Sequence, residues 1–290
     1  MKIQTDKITV KCYAKVNLTL DVKSRRSDGY HEVEMIMQQI GIYDTLTVSA
    51  HSGCGIHISC TDSRIPCDGG NLAARAAKLF LETVGEDAEV GIHIEKNIPV
   101  GAGLGGGSSD AAGVLRALNK VFGEPLSCSG LAELGGKIGA DVPFFIYGRA
   151  MLASGTGTEL SEVEPLNVGT MVVAKPEFEV ITAHVYKSLV LDEGIAHPDT
   201  RGALAAIRRG DIKGLAACGG NVLETVTAAK HREIGEYKKV MTDCGAGYAL
   251  MSGSGPSVFA IFKNSADAEK AAAVLTNSTR EVFVTHTVTG

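Results

Sequence analysis

Residues 99–114 read Pro-Val-Gly-Ala-Gly-Leu-Gly-Gly-Gly-Ser-Ser-Asp-Ala-Ala-Gly-Val, and no other segment constrains the chain as strongly. Gly101, Gly103, Gly105, Gly106 and Gly107 give a backbone that can take positive φ and approach a ligand without Cβ collisions. Ser108 and Ser109 follow, and then Ala111, Ala112, Leu115 and Leu118 fall at helical spacing, as one buried stripe. Unpaired N–H groups and the positive end of a helix dipole coincide at such a junction, which makes it an anion site. The ligand that suits it is a polyphosphate.

Standard phosphate loops fit this stretch poorly. Gly101-x-Gly103-x-x-Gly106 satisfies the dinucleotide fingerprint, but that fingerprint needs an acidic residue closing a strand about twenty residues on. Glu124 stands near that distance between Gly123 and Pro125, with no strand before it. Gly101-x-x-x-x-Gly106-Gly107-Ser108 resembles a Walker loop with glycine in place of the phosphate lysine. A flexible linker is the dull alternative, and the periodic apolar flanks argue against it. The sequence therefore points to a phosphate loop of neither standard type.

The net charge of −5, from 28 basic and 33 acidic residues, leaves the polyphosphate to be held by local donors. Nucleic acid and anionic membrane are not expected partners. Seven cysteines, an odd number at irregular spacing, suit a reducing compartment. Met1 to Val10 holds no apolar signal core and no window reaches the length of a membrane span, so a cytoplasmic location is expected. Cys54-x-x-His57-x-x-Cys60 has metal-ligand residue types. Gly55–Ser59 alternates like a strand, however, so His57 faces away from both cysteines and no zinc site is expected.

A chain of 290 residues accommodates two modest domains or one large one. Residues 7–22 alternate as a strand, as do 45–50 and the run Val90, Ile92, Ile94. Asn71 reads as the N-cap of a helix running to about Val84. A helix follows the glycine loop, then a short helix near Leu131–Ile138 and a strand from Val142 to Tyr147. After Gly157, Met171–Ala174 reads as a strand and Thr182–Leu191, Thr200–Arg208 and His231–Asp243 read as helices. Tyr248–Met251, Ser257–Phe262 and Val282–Thr287 suggest three more strands. Strands and helices mix without a regular βαβ count, which predicts an α+β chain with domains at 1–156 and 157–290.

The motif Pro-x-x-x-Gly-Leu-Gly-Gly-Gly-Ser-Ser-Asp-Ala-Ala resembles the central motif of the GHMP kinases, the galactose, homoserine, mevalonate and phosphomevalonate kinase superfamily. Ala14-Lys15-Val16-Asn17-Leu18, Asp28-Gly29-Tyr30-His31 and Gly139-Ala140-Asp141-Val142-Pro143-Phe144-Phe145 resemble the branch with a cytidylyl substrate. Met251-Ser252-Gly253-Ser254-Gly255-Pro256-Ser257 resembles the family's C-terminal glycine motif. The resemblance spans nearly the whole chain, in order. It implies an N-terminal nucleotide domain, a C-terminal ferredoxin-like domain, a cleft site between them, and ATP with Mg²⁺ as cofactors. The implied reaction moves the γ-phosphoryl group of ATP to the 2-hydroxyl of 4-diphosphocytidyl-2-C-methyl-D-erythritol. Small molecules are then the partners, with the protein a monomer or weak homodimer.

Phosphoryl transfer is chiefly positioning and charge stabilisation. The nucleotide cradle is expected in Pro99, Val100, Gly101, Ala102, Gly103, Leu104, Gly105, Gly106, Gly107, Ser108 and Ser109, with Ser108 and Asp110 within reach of Mg²⁺. By resemblance, Asn71 and Lys96 border the adenine or the phosphates. Lys15 and Asn17 lie on the polar face of an otherwise apolar strand, which alone reads as a solvated face. The resemblance makes Lys15 the catalytic lysine and Asn17 a substrate ligand. Asp141 sits in an apolar context, as a helix or turn cap or as the general base that takes the substrate's proton, held ionised by Lys15. Tyr30 and His31 follow a turn signal and are expected at the cytidine. Thr182 and Tyr186 share a helix face, with Tyr186 stacking on cytosine. Rival readings are another GHMP kinase, a dinucleotide-dependent oxidoreductase and a nucleotide-binding module without activity. The cytidylyl-branch residues, Pro99 with the absent acidic strand end, and the presence of both Lys15 and Asp141 speak against them in turn.

Overall fold

The computed structural model describes residues 7–167, 169–192 and 194–289. In chain order the first part contains β1 (Ile8–Arg25), β2 (His31–His51), β3 (Gly55–Cys60), α1 (Leu72–Val84) and β4 (Glu89–Glu95). Next come α2 (Gly106–Val121), α3 (Cys128–Gly136), α4 (Val142–Tyr147), β5 (Met151–Ser154) and β6 (Glu159–Glu162). Then β7 (Thr170–Lys175) precedes α5 (Thr182–Ser188), α6 (Thr200–Arg208), α7 (Ile212–Cys218), α8 (Glu224–Lys230) and α9 (Glu233–Asp243). The remainder is β8 (Tyr248–Met251), β9 (Val258–Phe262), α10 (Ser265–Leu275) and β10 (Glu281–Thr285).

Two compact units arise, and neither is a continuous stretch of chain. One gathers the chain up to Ala14 with Ile42–Val100 and Gly105–Gly148; the other gathers Lys15–Gly41, Gly101–Leu104 and Arg149–Gly290. The expected division at 156/157 therefore differs from the compact units: the polar half of β1 and the first half of the glycine loop group with the later residues.

In the first unit, the second half of β2 pairs antiparallel with β4, from Thr45↔Glu95 to His51↔Glu89. β4 in turn pairs parallel with β3. The alternation of Val90, Ile92 and Ile94, each at most 3% exposed, covers this sheet with α1 and α2. The Asn71 side chain accepts from the Ala73 N–H and Gly85 ends α1 at φ 68°, the cap and stop that the sequence marks. Val142–Tyr147 is a helix, not the expected strand. Pro143 stands in its first turn and Gly148 closes it at φ 68°, and a short apolar run has too few residues for periodicity to tell strand from helix.

In the second unit, β10, β7, β9 and β8 lie side by side in that order, every pair antiparallel. Counting β7, β8, β9 and β10 as first to fourth, the spatial order is 4-1-3-2. α9 falls between the first two strands and α10 between the last two. That is the βαββαβ ferredoxin-like arrangement, with α5 to α8 inserted after the first strand. All five residues of β9 are buried, as expected for a central strand covered on both faces.

Candidate active site

β1 departs from an ordinary amphipathic strand. Val16, Leu18, Leu20 and Val22 are buried on one face, and on the other Lys15, Asn17, Thr19 and Asp21 are at most 4% exposed. The solvated-face reading therefore fails: these polar groups are inside, where each needs a partner.

Lys15 donates from Nζ to Asn17 Oδ1 at 2.7 Å and to the Gly103 carbonyl at 3.1 Å. Its own N–H bonds the Leu104 carbonyl at 2.9 Å. The Ser252 hydroxyl donates to the same Gly103 carbonyl at 3.0 Å. Gly253, at φ 59°, is in the left-handed region that favours glycine, and a Cβ there would lie a tight 3.2 Å from Gly103 O and 3.4 Å from the Lys15 ammonium. Asn17 Nδ2 reaches Met35 Sδ at 3.1 Å, so the orientation of its amide is fixed from both ends. Lys15, Asn17, the Gly101–Leu104 half of the glycine loop and the late glycine motif thus form one hydrogen-bonded cluster within the second unit.

Residues that the sequence reading did not single out hold the late motif in shape. Asn221 Nδ2 donates to the Met251 and Gly253 carbonyls, each at 2.8 Å. The Thr227 hydroxyl donates to Ser254 O at 3.0 Å, and Glu224 accepts from the Met251 N–H at 2.9 Å. Gly219-Gly220-Asn221 is legible as a turn, but nothing in it names residues thirty positions away as its target.

In the first unit the loop enters α2 at Gly105, an N-cap at φ 74° with no side-chain cap. The first amides of α2 are thereby left for a ligand, while the Ser109 hydroxyl is committed to Tyr13 O at 2.7 Å. Ser108 stays partly exposed and Ser109 is buried. Pro99, Ala102 and Leu104 are packed inside, so what these three residues could offer a ligand is backbone. Asn71 is spent as the α1 cap and donates to Pro66 O at 2.8 Å. Asp141 occupies the residue before α4 and makes no capping bond to that helix.

Lys96 is not presented to solvent. Its ammonium, on a side chain 4% exposed, pairs with Asp44 at 2.5 Å and Asp110 at 2.9 Å. Burial works against the Lys96 charge, yet Asp110 and Asp44 together hold its pKa above the ordinary lysine value. Burial and the Asp44 carboxylate push Asp110 up to about 7 against the pull of Lys96. Of the two oxygen donors expected at Mg²⁺, Asp110 commits its Oδ2 to a lysine, whereas the Ser108 hydroxyl is of a type that suits a hard cation.

In the second unit, Gly29 at φ 88° completes the expected turn, with the Tyr30 N–H bonded to Asp28 at 3.0 Å. Tyr30 is 67% exposed. The His31 ring lies 5.2 Å from the Tyr186 ring, centroid to centroid, at an interplanar angle of 39°. Partial burial, then Arg25, lowers the His31 pKa below 6.5 and favours the neutral imidazole. The Thr182 hydroxyl is 2.8 Å from that of Ser254, so α5 is tied to the late glycine motif on the face that also carries Tyr186.

Residues 71–149 match the family model for the GHMP kinases N terminal domain, and residues 203–280 that for the GHMP kinases C terminal domain. A curated 4-diphosphocytidyl-2-C-methyl-D-erythritol kinase of Alkaliphilus metalliredigens is 47% identical over 264 residues, 91% of each chain. One from Clostridium acetobutylicum is 42% identical over 97% of this chain and all of its own. A crystal structure of 4-(cytidine 5'-diphospho)-2C-methyl-D-erythritol kinase superposes with TM-score 0.84 at 35% identity, over 98% of this chain and 100% of that one.

Proposed function

The chain belongs to the GHMP kinases, and on that premise we propose that it transfers the γ-phosphoryl group of ATP to the 2-hydroxyl of 4-diphosphocytidyl-2-C-methyl-D-erythritol. The observation that carries the reading is the buried Lys15–Asn17–Gly103 cluster, because a lysine there ties the glycine loop to the strand bearing the substrate residue. Relatives 42–47% identical over at least nine-tenths of the chain bear that substrate's name, which supports the choice of substrate.

The roles follow from the chemistry. The amides opening α2 cradle the phosphates, where orphan donors and the dipole favour negative charge. Mg²⁺ when bound neutralises charge on the phosphate oxygens, with the Ser108 hydroxyl as its protein ligand. Asp141 accepts the proton of the substrate hydroxyl, and Lys15 offsets negative charge that develops on transfer. Asn17 orients the polyol. Tyr186 stacks on cytosine while His31, neutral at pH 7, offers hydrogen bonds to the base edge.

The test is phosphoryl transfer from ATP to the cytidylyl methylerythritol, its uridylyl analogue, homoserine and mevalonate. A site that hydrogen-bonds one base pattern leaves buried groups unpaired with the other. The cytidylyl substrate should therefore win by roughly 10²-fold in kcat/KM, about 2.7 kcal/mol. His31→Ala should erode that margin, and Tyr186→Ala should weaken both nucleotides alike, since stacking tolerates either base. Turnover of homoserine or mevalonate but of neither nucleotide would move the chain to another branch.

A further inference from the structure

The Asp44–Lys96–Asp110 group joins three segments of the first unit, and its position bears on the glycine loop. Asp44 Oδ1 on β2 accepts from the N–H groups of Asn97 at 2.6 Å and Ile98 at 2.8 Å, the residues that lead into the loop. Its other oxygen accepts from Lys96 Nζ, which also donates to Asp110 Oδ2, the fifth residue of α2 and one turn beyond the end of the loop. One buried ion group therefore grips both the entry to the loop and its exit. It also lies directly beneath the exit. A Cβ on Gly106 would fall 2.9 Å from Lys96 Nζ and 3.1 Å from Ile98 Cγ2. Gly106 itself is at an ordinary helical φ, so its glycine answers to this close approach and not to backbone handedness.

The charge balance argues against a direct grip on phosphate. One ammonium faces two carboxylates, and Asp110 Oδ1 is a further buried acceptor without a partner. Such a group offers a polyphosphate no net positive charge, whereas its rigidity sets where the α2 amides point. We propose that Lys96, held by Asp44 and Asp110, is a positioning residue that fixes the spacing of the nucleotide loop and does not itself bind the nucleotide. The inference rests on the ATP-kinase reading given above.

The test compares ATP binding by calorimetry, with Mg²⁺ present, and steady-state kinetics in wild type, Lys96→Met and Asp44→Asn. Displacement of reacting groups by an ångström has large kinetic effects, so both variants should weaken ATP by on the order of tenfold or more. KM for the second substrate should stay put. A nucleotide-ligand role for Lys96 predicts the opposite sign for Asp44→Asn: with the ammonium released from one carboxylate, ATP would bind as well or better. That outcome overturns the proposal. So does a lower melting temperature with unchanged ATP affinity, which would make the group purely structural. Breaking a buried ion group can prevent folding, and the double variant Lys96→Met/Asp110→Asn lowers that risk by removing two of the three charges while Asp44 Oδ1 keeps its two amide donors. It should show the same loss of ATP affinity, and wild-type affinity in the double variant refutes the proposal. Wild-type protein that fails to bind ATP would sink the kinase reading itself, independently of the variants.

Discussion

Gly103→Ala is the most incisive single change in the cluster around Lys15. Gly103 sits at φ 74°, and an added Cβ would lie 2.9 Å from the Gly255 carbonyl oxygen and closer still to that of Ser252. Left-handed backbone disfavours alanine by about 1–2 kcal/mol. Both obstacles are backbone, so relief requires a shift of roughly an ångström to restore the ordinary contact distance of about 3.5 Å. That shift strains the hydrogen bonds by which Lys15 and Ser252 hold the Gly103 carbonyl, and a bond from a charged donor contributes about 1.5–3 kcal/mol. The total loss should be about 2–4 kcal/mol, a fall in Tm of roughly 5–15 °C at about 2–4 °C per kcal/mol. Turnover should drop by about 10²-fold, because Lys15 is displaced with the carbonyl that holds it. Gly101→Ala is the control. At φ 63° it bears the same handedness penalty but meets only the side chain of Glu179, which can swing away. Differential scanning calorimetry and a coupled ADP assay on both variants give the comparison. If Gly103→Ala melts and turns over like Gly101→Ala, the assignment of this contact as a constraint on Lys15 is wrong.

Asp141→Asn keeps shape but cannot accept a proton, so kcat should fall by on the order of 10²–10⁴ with ATP affinity little changed; single-turnover phosphoryl transfer measures it, and wild-type rates rule the base out. The lowered pKa of His31 predicts that KM for the cytidylyl substrate is flat above pH 7 and changes only as the pH falls below 6.5. His31→Ala should remove that inflection, and its persistence in the variant would assign the titration to another group.

Local signals in the sequence proved dependable where chemistry is local. The Asn71 cap and the span of α1 are legible because one side chain satisfies an amide two residues away. Thr200–Arg208 and Tyr248–Met251 likewise stand where periodicity puts them. Val142–Tyr147 reads as a strand because Phe144, Phe145 and Ile146 are strand-favouring types, and it is a helix because Pro143 opens a helix as readily as it marks a strand edge. α7, α8, α10, β5 and β6 carry no strong period of their own. The site was half legible. Lys15, Asn17 and Gly103 stand out by motif, and the structure joins them. Asp44 and Asn221 act on backbone groups 53 and 30 or more positions away, and no pattern around either residue encodes that distance.

The ferredoxin-like sheet has a consequence for how this chain is made. β7 lies between β9 and β10, and its register with β10 joins Lys175 to Glu281. More than a hundred residues must therefore be synthesised between one strand and its neighbour. At about 5–20 residues per second that is an interval of roughly 5–20 s, far longer than the microseconds in which a hairpin closes. Until then β7, with Met171, Val172, Val173 and Ala174 wholly apolar and destined for full burial, has an unpaired edge that other chains can match. Nor can a fragment starting at residue 157 complete the fold after release, since Lys15–Gly41 belongs to the same compact unit. Ribosome-bound chains arrested between α9 and β10 should accordingly be the aggregation-prone species, and the ones that engage a chaperone.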